Sequence, residues 1–60
     1  MQDYYVQFRD NSGWRTCTTL SASSGPQKIL IEMEGAKACY PGYDIRVVDE
    51  DGRLVDILYK

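Results

Sequence analysis

The stretch from Ile45 to Leu58, Ile-Arg-Val-Val-Asp-Glu-Asp-Gly-Arg-Leu-Val-Asp-Ile-Leu, constrains this chain most. Two apolar runs flank Asp51-Gly52, the strongest short-range signal for a β-hairpin. A two-residue loop at Asp51-Gly52 would set Val47 opposite Asp56 and Arg46 opposite Ile57, a charge against an apolar group in each pair. A three-residue loop, Glu50-Asp51-Gly52, pairs Val47 with Val55, Ile45 with Ile57, Arg46 with Asp56 and Asp49 with Arg53. Cross-strand pairs of these kinds contribute roughly 0.2–1 kcal/mol each, and a one-residue slip turns every side chain to the wrong face. The side chains therefore predict a type I turn plus bulge, with Gly52 in the left-handed region.

Tyr4 to Leu20 reads as a second hairpin. Tyr4, Val6 and Phe8 alternate with Tyr5, Gln7 and Arg9, the period of a strand. Asp10-Asn11-Ser12-Gly13 has turn chemistry, and Trp14 to Leu20 returns as a Thr-rich strand. One register puts Cys17 and Thr19 on the Tyr4/Val6/Phe8 face and pairs Asp10 with Arg15. The other puts Thr16, Thr18 and Leu20 there and sets Arg9 against Arg15. Charge favours the first. The two turns share the pattern Asp-x-x-Gly.

Between the hairpins lies a linker, Ser21-Ala22-Ser23-Ser24-Gly25, with Ser24 as a candidate N-cap and Pro26 in the first turn of a helix running to about Cys39. Ile29, Met33, Ala36 and Tyr40 fall on one arc, flanked by Leu30 and Cys39. Gly35 and the alternation of Ile29, Ile31 and Met33 argue against the helix, but the segment is too long for one strand. Ile31 and Ala38 would point away from the core. Tyr40-Pro41-Gly42 stops the helix.

The expectation is an α+β fold in ββαββ order, a single small domain over residues 1–60, with a four-stranded antiparallel sheet and one helix packed on one face. Its core would comprise Tyr4, Val6, Phe8, Ile29, Met33, Ala36, Ile45, Val47, Val55 and Ile57. The opposite sheet face has no second layer in this chain and should display Tyr5, Gln7, Arg9, Val48, Leu54 and Leu58. The candidate partner-binding residues are therefore Tyr5, Arg9, Val48, Leu54 and Leu58, with Ile31 on the helix back.

A domain of 60 residues buries only about 60% of its unfolded surface, so it is marginal without a disulfide, a metal or a partner. Two Cys and no His do not complete a zinc site. Cys17 and Cys39 could bond, but two reduced, buried thiols are the better reading in a chain whose start, Met-Gln-Asp-Tyr-Tyr, has no secretory character. No apolar run approaches the ~20 residues of a membrane span, so a cytoplasmic location is expected. The net charge is −2, and it sits in residues 43–60, where Asp44, Asp49, Glu50, Asp51 and Asp56 outnumber Arg46, Arg53 and Lys60. That argues against nucleic acid, whose phosphates need clustered cations.

Catalytic chemistry has little to work with. Without His, acid–base work at neutral pH would need a strongly shifted carboxylate or thiol. The linker serines have no base near them in sequence, and the acids around Gly52 lack calcium-loop spacing. No catalytic, metal-ligating or cofactor-binding residues are expected.

Tyr4 to Asp10 and Tyr40 to Asp56 carry a further pattern: an opening Tyr-x-Val-x-Phe-Arg-Asp, then a helix ending Tyr-Pro-Gly, then Val-Asp-x-x-Gly-Arg-x-Val-Asp. In this the chain resembles small proteins encoded by bacteriophages and prophages. The resemblance implies a non-catalytic module that binds and inhibits or modulates a host protein, commonly a defence or regulatory component. It transfers no site residue. A homodimer is expected, because the chain is small and its open sheet face carries apolar residues. Two other readings compete: a sheet that stacks single-stranded nucleic acid on Tyr5, Arg9 and Trp14, and a purely structural protein that self-assembles through its strand edges.

Overall fold

The computed structural model describes residues 3–21 and 23–59; Ala22 of the expected linker lies outside them. Strands β1 (Tyr4–Asp10) and β2 (Gly13–Leu20) form the first hairpin, helix α1 (Pro26–Cys39) follows, and β3 (Ile45–Asp49) and β4 (Leu54–Leu58) form the second. All neighbouring strands are antiparallel, in the order β2-β1-β3-β4, so β1 and β3 are central and the two hairpins join side by side. The fold is α+β, as the residue pattern predicts.

The core lies between α1 and one sheet face. Val6, Met33, Ile45 and Val47 are wholly inaccessible, and Leu20, Ile29 and Ala36 complete the buried cluster. Each side chain of this size contributes about 1.5–3 kcal/mol when fully removed from water. Tyr4, Phe8, Cys17, Tyr40 and Leu58 pack around the cluster. Phe8 stacks on Tyr40 with ring centroids 4.1 Å apart and meets Tyr43 edge-on at 6.0 Å, so the Tyr-Pro-Gly stop also closes one end of the core. Ile29, Met33 and Ala36 form the buried stripe of the helix. Ile31, Ala38 and also Leu30 are exposed.

The helix begins without a side-chain cap. Its N-cap is Gly25, and Pro26 occupies the first turn, so the expected role of Ser24 is not realised. Instead the Ser24 amide turns back to the Ser21 carbonyl. At the other end the Tyr40 amide donates to the Ala36 carbonyl at 2.8 Å. Lys37 Nζ donates to the Tyr59 carbonyl at 2.8 Å, tying the residue after β4 to the helix.

Both turns open on an Asp whose carboxylate accepts the amide two residues on, and both carry a Gly with positive φ. In the first, Asp10 Oδ1 accepts the Ser12 amide at 2.7 Å, and Gly13 has φ +111°. In the second, Asp49 Oδ1 accepts the amides of Asp51 and Arg53, each at 2.9 Å, and Gly52 has φ +80°. The Gly52 amide donates to the Asp49 carbonyl, and the Asp49 amide donates to the Arg53 carbonyl, each at 3.0 Å. This is the expected turn followed by a glycine bulge.

Beyond each turn the register departs from expectation. Val48 faces Leu54, but Val47 faces Asp56, Arg46 faces Ile57 and Ile45 faces Leu58, because Val55 is an extra residue in β4. The hairpin thus combines the three-residue loop with the side-chain pairing of the two-residue one. The expected pairs Val47–Val55, Ile45–Ile57 and Arg46–Asp56 are not formed. Leu58 replaces Ile57 beside the core, and Val55 is exposed at the sheet edge. Asp56, also exposed, accepts the Ile57 amide through its own carboxylate at 2.8 Å.

The first hairpin repeats this device. Val6 faces Thr18 and Gln7 faces Thr16, leaving Cys17 as the extra residue, its thiol directed to the Val6 carbonyl at 3.4 Å. Cys17 packs on the core side, as charge favours. The bulge then brings Leu20, in place of Thr19, to the core beyond it. Asp10 and Arg15 form their ion pair diagonally, since the backbone partner of Asp10 is Gly13.

Candidate interaction surface

Among the described residues, no second helix or strand layer lies on the sheet face away from α1. Strand alternation places Trp14, Thr16 and Thr19 of β2, Tyr5, Gln7 and Arg9 of β1, Arg46 and Val48 of β3, and Leu54 and Ile57 of β4 on it. Its organisation follows from the register. Gln7 stands between Thr16 and Arg46, and Tyr5 stands between Thr19 and Val48.

A chain of contacts crosses three strands. The Arg46 guanidinium lies 4.2 Å above the centre of the Trp14 ring, within cation–π range. Arg46 Nε donates to Gln7 Oε1 at 2.7 Å, and Gln7 Nε2 donates to Thr16 Oγ1 at 3.1 Å. Burial lowers the Arg46 pKa from its usual value, because the charged form loses water. The arginine nonetheless stays cationic at neutral pH. These contacts hold three long side chains in one geometry, so a partner would meet a surface already ordered.

At the other end the face is apolar. Val48 is only 4% exposed, with Tyr5 and Leu54 flanking it. Leu54 is 58% exposed. The hairpin tip with Glu50 and Asp51 projects just beyond, and Glu50 Oε1 accepts the Asp3 amide at 3.0 Å.

Of the six candidate residues, Tyr5, Arg9, Val48 and Leu54 come together on this face. Tyr5 is half-buried and Arg9 exposed, whereas Val48 sits deeper than a displayed residue would. Leu58 does not belong with them, because the β4 bulge turns it toward the core. Ile31 is 61% exposed on the helix, on the other side of the molecule. The residue pattern underrates Trp14, Arg46 and Ile57. Ile57 reaches the face only because of the β4 bulge, which period-2 counting cannot locate; Trp14 and Arg46 follow alternation, but the stack between them needs three strands in register.

The two thiols are unbonded. Cys17 is half-buried, while Cys39 is exposed, which corrects the expectation of a second buried thiol. Both line a hollow between α1 and β2 together with Glu32 and Gly35. Among the described residues, no group of three or more His, Cys, Asp or Glu side chains is arranged to hold a metal ion. Among them, too, no helix is long and apolar enough to cross a membrane. No protein-family model, curated protein or solved structure matches the chain.

Proposed function

We propose that this chain is a small protein-binding module whose contact surface is the sheet face away from α1. The observation that carries the reading is the composition and order of that face. It presents Trp14, Tyr5 and Arg46, the residue types that dominate binding hot spots, beside exposed Leu54. Arg46 is held on Trp14 and Gln7 before any partner arrives, which lowers the entropic cost of association. The phage-like pattern in Tyr4–Asp10 and Tyr40–Asp56 points the same way, to a modulator or inhibitor of a larger host protein.

The test is affinity capture from nuclease-treated bacterial lysate with the wild type and with an Arg9→Glu/Leu54→Asp double variant. Both residues are exposed on the face, so the variant should fold. Val48 is too buried for this purpose. A host protein captured by the wild type and lost in the variant supports the reading; equal capture by both overturns it.

The Trp14–Arg46 stack on a four-stranded sheet gives one specific reason for a second reading, a platform for single-stranded nucleic acid. The acidic tip of the second hairpin opposes it. Oligonucleotide titration at low salt tests it, since electrostatic binding would be strongest there.

A further inference from the structure

We infer that Cys17 and Cys39 form a reversible disulfide across the hollow between α1 and β2, made by exchange with a low-molecular-weight disulfide of the glutathione type. The hollow lies on the helix side of the sheet. The inference is therefore independent of the contact surface proposed above, and each stands or falls by its own test.

Each thiol reaches the hollow for a local reason. Cys17 is the extra residue of the β2 bulge and packs on the core side of an edge strand that is bonded to the sheet only through β1. Cys39 is the last residue of α1, on the flank of the helix that also carries Glu32, Gly35 and Ala36. Gly35 and Ala36 bring almost no side chain to this flank, which leaves a space of about 360 Å³ with both thiols on its walls. A Cβ added at Gly35 would meet no atom within 4 Å. The two thiols differ in access: Cys39 is exposed and Cys17 half-buried. Cys17 Sγ is directed to the Val6 carbonyl at 3.4 Å, and a thiol is a weak donor, so this contact costs little to give up.

Access sets the order of events. A buried thiol is inert, whereas an exposed one is open to exchange, so Cys39 reacts first. Its thiolate attacks one sulfur of the small disulfide. A bond forms between Cys39 and that sulfur, the small disulfide's S–S bond breaks, and one small thiolate leaves and takes a proton from water. Cys17 then gives its proton to water and attacks the Cys39 sulfur. The Cys17–Cys39 bond forms, and the second small thiolate leaves and is protonated in turn. Two protein thiols are oxidised and one small disulfide is reduced to two thiols. A thiol across the same hollow also outcompetes a thiol on another molecule, because tethered groups meet at millimolar effective concentration. The bond would tie the edge strand β2 to the end of the helix, a staple of the kind that small folds use to gain stability.

The test is exposure of the reduced, folded protein to oxidised glutathione, followed by intact mass and a non-reducing gel, for the wild type, Cys17→Ser and Cys39→Ser. Circular dichroism checks that each is folded. The wild type should lose the mass of two hydrogens, carry no glutathione and stay a monomer on the gel. Cys17→Ser should stop with one glutathione on Cys39. Cys39→Ser should react at least about tenfold more slowly than Cys17→Ser, since its remaining thiol is half-buried. Thermal unfolding of the oxidised wild type should lie about 10 °C above that of the reduced protein and return when dithiothreitol is added. A wild type that keeps glutathione as Cys17→Ser does, bonds between molecules or does not react would overturn the pairing. So would a bond that forms only in denaturant or that lowers the unfolding temperature. Equal rates for the two variants would overturn the order of attack.

Discussion

Gly52 shows most directly how one residue sets the second hairpin. Its φ of +80° is open to Gly and costly for a β-branched side chain, and an added Cβ would meet no atom within 4 Å. A substitution there is therefore strained by backbone geometry alone. Gly52→Val should cost about 1–3 kcal/mol in urea unfolding, and Gly52→Asn should recover much of the loss. Equal stability of Gly52→Val and wild type would contradict the turn. Asp49 provides a second test at this scale. Its carboxylate accepts two amides, whereas Asp10 accepts one. Asp49→Ala should cost about 1–2 kcal/mol, and Asp49→Asn less, as its amide oxygen can still accept. Both turns were readable from Asp-x-x-Gly, because turn chemistry is local.

At the scale of the element, what was legible and what was not divide on physical grounds. The helix from Pro26 to Cys39 follows from the spacing of Ile29, Met33 and Ala36, which depends on one chain segment only. The strand registers depend on two segments at once, and each hairpin inserts a bulge, at Cys17 and at Val55, that no periodic pattern announces. Pairing charge with charge was therefore the wrong arbiter for Arg46. It finds its partners across β1, on Gln7 and Trp14, rather than opposite Asp56. The same slip moved Leu58 from the open face to the core and left Ile57 in its place. The helix offers a clean energetic contrast. Met33 is wholly buried, so Met33→Ala should cost about 2–5 kcal/mol. Gly35 is exposed, and a Cβ there meets nothing within 4 Å, so Gly35→Ala should stabilise by about 0.5–1 kcal/mol. A destabilised Gly35→Ala, seen by thermal or chemical unfolding, would show that something packs on the helix at this point.

For the whole molecule, one helix covers one side of a four-stranded sheet, and the other side is left to water or to a partner. A chain of this size has little stability to spare, and covering Leu54 and Trp14 would add to it. The candidate surface was half legible: alternation alone gives Tyr5, Arg9, Val48 and Leu54. The Arg46–Trp14 stack emerges only when three strands are in register. The most direct test of the claim that this face is the contact surface is the proton–nitrogen NMR spectrum recorded before and after addition of the protein captured from lysate. The Trp14 indole, the Arg46 side chain and the amides of Tyr5, Val48 and Leu54 should shift on its addition while Leu30 and Ile31 stay fixed. Shifts confined to the helix back or to the outer edge of β4 would contradict the account.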